Sequence, residues 1–164
     1  PFASVCAFTP DTKLVLPAST DLAGATAALD ELLGDTNRFY AIRIDGVFRQ
    51  MKTRSVPAQV KPYPPLAEVT KTQPVFDLTN VTGTLVGFRC PPLARGVNVP
   101  GYHLHFLTDD RTAGGHVLGF TVDSAKASVD TCNRLELVLP AGTATLRDID
   151  FSRDRSAELH QAER

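Results

Sequence analysis

The sequence predicts an α+β fold: a mainly antiparallel or mixed β-sheet, or a partly closed barrel, with one main helix and a C-terminal helical tail. Three observations predict it. Short segments of strand-forming, alternating residues recur along the chain and outnumber helical stretches. Only residues 19–33 carry a long capped apolar stripe of helical spacing. Residues 148–164 are strongly charged, with a helical pattern near their end.

Residues 2–8 alternate apolar and small side chains and read as a strand that begins almost at the first residue. A domain seldom opens in mid-sheet, so relatives are expected to carry something ahead of it. Residues 13–16 form a second extended piece. In the helix that follows, Ser19 or Thr20 can cap the first turn, Leu22, Leu29, Leu32 and Leu33 make the stripe, and Gly34 ends it. Residues 39–52 read as a hairpin turning at Asp45-Gly46, a dipeptide suited to positive φ. Arg54 then stands before a run holding Pro57, Pro62, Pro64 and Pro65, which must be extended or turning because proline has no amide hydrogen and a fixed φ. Residues 66–72 are a short helix or turn. Residues 74–78 and 82–89 read as strands separated by a turn containing Asn80 and Gly83, and residues 90–100 as a loop. A hairpin over 101–120 comes next. Residues 121–129 and 134–139 complete the strand pattern, which Pro140 ends. In the tail, Ser152 can cap a helix over 157–163; a solvated, frayed terminus is the other reading.

The 164 residues can bury one sizeable core, and the expectation is a single domain over 1–164. A net charge of -1, with both signs interspersed, leaves no electrostatic footprint for nucleic acid or an anionic membrane. The expected partner is a small neutral or acidic molecule. Cys6, Cys90 and Cys132 are odd in number and far apart, which fits reduced buried thiols in a reducing, cytoplasmic compartment better than a disulfide framework or a thiolate metal site. No apolar run approaches the roughly 18 residues of a membrane span, and the first residues lack a signal-peptide layout.

Three of the four histidines lie between residues 101 and 120. His103 and His105 are two apart, so a strand points both imidazoles to one face and Leu104 and Phe106 to the other. If residues 108–113 reverse the chain about Asp110-Arg111, His116 falls opposite His105, within roughly 5 Å. Three neutral imidazoles would then converge on one point and leave an open position on zinc or another divalent transition metal, as catalytic sites do. The plainer alternative is two surface histidines on a strand and a third in a loop. Arg54 can likewise be a solvated charge or a carboxylate clamp.

Other chemistries find less support. A His-x-His pair also occurs in cupin-type metal sites, but those usually follow it with a glutamate, whereas the nearest acids here, Asp109 and Asp110, are expected in the turn, where they would point away from the histidine face. No Gly-x-Ser-x-Gly elbow and no phosphate-cradling glycine motif is present.

The motifs Phe39-Tyr-Ala-Ile-Arg-Ile-Asp-Gly46, Lys52-Thr-Arg-Ser-Val-Pro57, Lys61-Pro-Tyr63, Gly83-Thr-Leu-Val-Gly-Phe-Arg89, Gly96-Val-Asn-Val-Pro-Gly-Tyr-His-Leu-His-Phe-Leu-Thr-Asp-Asp110 and Gly114-Gly-His-Val-Leu118 resemble α-acetolactate decarboxylase, over almost the whole chain. That resemblance implies a metal-binding domain over 1–164 that makes acetoin from 2-acetolactate, with a zinc-stabilised enediolate after loss of carbon dioxide. It implies His103, His105 and His116 as zinc ligands and Arg54 as the residue that engages the substrate. It also implies Glu163, or Glu158 if the tail carries insertions, as the acid that protonates the carbanion. The family has a longer N-terminal portion, with strands and a further acidic residue, that this chain lacks. The chain is therefore expected to be a fragment, a short homologue whose exposed sheet edge a homodimer would cover, or a homologue using the same metal for other lyase, isomerase or cyclase chemistry. A metal-binding module without catalysis is the competing class.

Overall fold

The computed structural model describes residues 3–139 together with Asp150, Ser152 and Asp154. The tail helix expected over 157–163, with Glu158 and Glu163, lies outside the described residues.

Among the described residues five antiparallel strands are present: β1 (Thr12–Leu16), β2 (Phe39–Arg54), β3 (Val75–Cys90), β4 (Gly101–Thr108) and β5 (Gly114–Cys132). Their order is β1-β5-β2-β3-β4, and β4 also pairs with β5. Four strands thereby close into a ring, with β1 added outside it along β5. Among the described residues the other regular elements are the main helix, α1 (Leu22–Leu33), a single turn, α2 (Leu66–Val69), continued by a short 3-10 turn, and a second 3-10 turn at Pro92–Ala94. The α+β expectation is met. Among the described residues no helix is long and apolar enough to cross a membrane.

The inside of the ring is the core. Phe48 sits at its centre, edge-on to Phe106 at 5.3 Å and to Phe120 at 5.7 Å. Ile42, Ile44, Leu85, Leu104 and Val122 surround it, all buried. Helix α1 adds Ala25 and Leu29 to this cluster. Its cap is Asp21, which accepts from the Gly24 amide at 2.8 Å, so neither Ser19 nor Thr20 caps it; Gly34 ends it at φ 65 as expected. A polar clamp fastens the helix to the sheet. The buried Arg89 donates to Asp30 at 2.7 Å and to the Thr36 carbonyl at 3.0 Å, and the Tyr102 hydroxyl donates to Asp30 at 2.8 Å. Burial, followed by the neighbouring Asp30, pushes the Tyr102 hydroxyl well above its ordinary pKa.

Four expectations are corrected. Residues 39–54 form one strand, not a hairpin, because β3 and β5 flank β2 on both sides and take up its hydrogen bonds. Gly46 is there for close approach: a Cβ would lie 2.3 Å from the Ser124 carbonyl oxygen. Residues 75–90 are also one strand. Asn80 has φ 52, yet pairing with β2 keeps one register on both sides of it. Residues 3–10 carry no regular structure, and the sheet ends at Cys132, so residues 134–139 are not a strand.

Candidate metal centre

The hairpin that carries the histidines is closed by its own turn. The Asp110 carboxylate accepts from the Thr108 hydroxyl at 2.6 Å, the Thr112 hydroxyl at 2.8 Å and the Thr112 amide at 3.0 Å, while Arg111 takes φ 60. These bonds hold the Asp110 carboxyl below its ordinary pKa, the Thr108 hydroxyl contributing most. Asp110 is thus engaged within the turn, as its position predicts. The turn sets the pairing of β4 with β5, which places His105 opposite His116.

On the other side of β4, Phe88 pairs with His103 and Val86 with His105. The three imidazoles share the outer face of the ring. One ring nitrogen from each of His103, His105 and His116 lies within 4.8 Å of the others. The Nε2 atoms of His103 and His105 are 3.0 Å apart. Tetrahedral nitrogen ligands at zinc distances stand about 3.4 Å apart. The donors therefore form a group that can hold a metal ion, and an all-imidazole set suits zinc and similar divalent transition metals. Burial, reinforced by the charges of His103 and Arg54, holds the His105 pKa below its usual value. The neutral form, which offers a lone pair to a cation, is favoured.

Arg54 ends β2 directly opposite His116 and is 4 % exposed. Its arrival on this face depends on irregularity in the strand. Ile42, Ile44 and Phe48 point into the core, as do Met51 and Thr53, so the inward set changes parity between Phe48 and Met51. Pairing with β5 is irregular in the same region, slipping between Val47 and Phe48 and back between Phe48 and Gln50, and it slips once more between Lys52 and Thr53, which sets Arg54 opposite His116. Unbroken alternation from Ile42 would have sent Arg54 into the core. Gly115 lets β5 enter alongside: it has φ 147, and a Cβ there would stand 2.5 Å from the Arg54 carbonyl oxygen.

A cavity of about 530 Å³ opens beside His103 and His105. Its floor is the outer face of β2, β3 and β4, including Ala41, Val86 and Phe88, and its wall is the segment 3–8. Arg43 also lines it, held by two hydrogen bonds of 2.8 Å to Asp45, which in turn accepts from the Thr84 hydroxyl at 2.7 Å. The sequence reading missed this wall. Its alternating pattern predicts a strand, and nothing local in it announces that it crosses the sheet. Arg43, inside the motif Phe39–Gly46, carries no separate signal in the sequence. The structure brings together His103, His105, His116 and Arg54; Glu158 and Glu163 fall outside the described residues.

A family model described as alpha-acetolactate decarboxylase matches residues 1–153. An alpha-acetolactate decarboxylase of Methylococcus capsulatus is 43% identical over 163 residues, covering 99% of this chain and 62% of the relative. One from Brevibacillus brevis is 41% identical, covering 99% and 57%. The crystal structure of alpha-acetolactate decarboxylase from Bacillus subtilis strain 168 superposes with a TM-score of 0.91 at 36% identity, over 95% of this chain and 67% of that one. The chain thus spans about three fifths of the length of these curated relatives, 62% and 57%.

Proposed function

The chain belongs to the alpha-acetolactate decarboxylase family, and from that premise we propose that it converts 2-acetolactate to acetoin and carbon dioxide at the centre built by His103, His105, His116 and Arg54. The observation that carries this reading is the convergence of three imidazole donors within 4.8 Å on the face where the buried Arg54 stands beside His116.

His103, His105 and His116 would hold a divalent cation, zinc by the chemistry of the donor set. When bound, it supplies Lewis-acid stabilisation of the oxygen on which negative charge develops as carbon dioxide leaves. Arg54 presents a planar, permanently charged fork that suits the substrate carboxylate bidentately and orients the bond that breaks. The cavity floor of Ala41, Val86 and Phe88 is apolar, which disfavours the charged carboxylate relative to neutral carbon dioxide. The electron pair of the broken carbon–carbon bond passes toward the adjacent ketone oxygen, and the substrate's C2 then needs a proton. Glu163, or Glu158 in its place, would deliver it from one face and so fix the handedness of the product.

The test is to load the protein with zinc, verify the stoichiometry, add racemic acetolactate and follow acetoin. Acetoin formation that disappears on chelation is the expected result. Zinc-replete protein that forms no acetoin would reject the decarboxylase reading while leaving the metal centre standing.

A further inference from the structure

We propose that Tyr102 is a positioning residue for the metal centre: its hydroxyl, held by Asp30 of α1, fixes the end of β4 that carries His103. The inference rests on the proposed centre of three histidines and not on the reaction carried out there.

The sheet does not support the three imidazoles equally. β5 pairs with β4 only at His105, Phe106 and Leu107, and His105 and His116 face each other inside that ladder. From Gly101 to Leu104, among the described residues, β4 is paired on one side only, by β3, where Phe88 stands opposite His103. His103 is thus the candidate ligand on a singly paired strand end, and such ends open locally at low cost. A metal ligand must be held within roughly 0.5 Å of its productive place. Something besides the ladder has to hold this one.

Tyr102 ties that end down from the opposite face. Its ring packs against the core, and its hydroxyl donates to Asp30 Oδ1 at 2.8 Å, with the Thr26 carbonyl of the same helix at 3.3 Å. Arg89 stands opposite Tyr102 on β3 and donates from Nε to the same carboxylate oxygen at 2.7 Å. Its Nη1 donates to the Thr36 carbonyl at 3.0 Å, and its guanidinium lies 5.9 Å from the centre of the Tyr102 ring. Hydrogen bonds to a carboxylate are roughly twice as strong as neutral ones, so this is a firm anchor. Neighbours on a strand point to opposite faces. The backbone setting that seats Tyr102 on the helix is therefore the one that aims His103 outward, toward His105 and His116. The buried charge of Arg89 accounts for Asp30 but not for the tyrosine hydroxyl, since phenylalanine would fill the same space. What the hydroxyl adds is the tether.

The test compares the parent with Tyr102→Phe, which removes only the hydroxyl, and with Tyr40→Phe as a control. Tyr40 donates its hydroxyl to the Asp35 carbonyl at 2.9 Å from β2, a strand that does not pair with β4. The control thus loses a similar bond near the same end of the helix. Zinc affinity is read by competition with a chromophoric chelator, amide exchange by mass spectrometry on the metal-free proteins, and stability by urea unfolding. In Tyr102→Phe zinc affinity should fall about tenfold, as loss of a hydrogen bond to a charged group implies. Exchange over residues 101–104 should quicken about tenfold while that over 105–107 holds. Tyr40→Phe should lose stability yet keep the parent's zinc affinity and the exchange of β4. Unchanged zinc affinity in Tyr102→Phe, an equal fall in Tyr40→Phe, or unchanged exchange over residues 101–104 would each overturn the inference. A parent that takes up no zinc would reject the three-histidine centre and the role of Tyr102 with it, whereas a zinc-binding parent beside an unaffected Tyr102→Phe rejects the tether alone. Because no readout depends on acetoin, failure here is distinct from failure of the decarboxylase reading.

Discussion

Gly115→Ala places a methyl group where β5 enters the site between β2 and β4. The residue has φ 147, a conformation that an L side chain rarely adopts, and the new Cβ would stand 2.5 Å from the Arg54 carbonyl oxygen and 3.3 Å from Thr53 Cβ. The unfavourable φ costs about 1–3 kcal/mol. Overlap with a backbone oxygen that cannot rotate aside adds about 1–3 kcal/mol. Together these reach about 2–6 kcal/mol, a large share of a typical domain stability of about 5–15 kcal/mol. Gly119, four residues on in the same strand, is the control. Nothing lies within 4 Å of its would-be Cβ. Gly119→Ala should change stability by no more than about 1 kcal/mol, in the stabilising direction, because it narrows the unfolded ensemble. Urea unfolding of both variants and the parent, with the slope checked for constancy, reads the difference. Since relief of the overlap must separate β5 from the end of β2, zinc affinity measured against a chromophoric chelator should fall with stability in Gly115→Ala alone. If Gly115→Ala unfolds at the urea concentration of Gly119→Ala, the reasoning about this entry point is refuted.

Three further outcomes follow from the same geometry. His105→Ala removes the imidazole whose neighbours on both sides are the other two candidate ligands, and should abolish stoichiometric zinc uptake in equilibrium dialysis; full retention of zinc would dismiss the three-histidine centre. Arg54→Lys keeps the charge but loses the fork, and should lower kcat/KM for acetolactate by on the order of 10²-fold; unchanged turnover would reduce Arg54 to a structural cation. The Asp45 carboxyl is held below its ordinary pKa chiefly by the Arg43 hydrogen bonds, with the Thr84 hydroxyl next among the bonds that lower it. The native state therefore binds fewer protons than the unfolded chain as acid is added. The stability that Asp45 contributes is complete above the ordinary carboxylate range and drains away as the pH falls through its lowered folded value. Asp45→Asn should flatten that part of the acid-denaturation curve, and an unchanged curve would discard the assignment.

The histidine group was legible because its determinants are local. A two-residue spacing fixes the face that His103 and His105 share, and a short turn carries His116 back to His105 eleven residues later. The helix over 22–33 was legible for the same reason, although its cap moved to Asp21. The turns expected at Asp45-Gly46 and at Asn80 and Gly83 failed together and for one reason. Gly46 and Gly83 stand opposite each other in a single ladder, where they allow neighbouring backbones to approach instead of reversing the chain. Glycine serves both purposes, and the choice is made by strands far away in sequence.

What the sequence by itself determined is the donor set: three imidazoles and an arginine, and the hairpin that gathers the imidazoles, since period and turn chemistry act over a few residues. Tertiary structure alone decided that Arg54 joins them. Its side of the sheet depends on slips in pairing between β2 and β5, strands that meet only once the ring closes. The same closure lays residues 3–8 across the outer face as the cavity wall. Contacts of that kind depend on how distant strands register, a property of the assembled sheet that no short stretch of chain encodes.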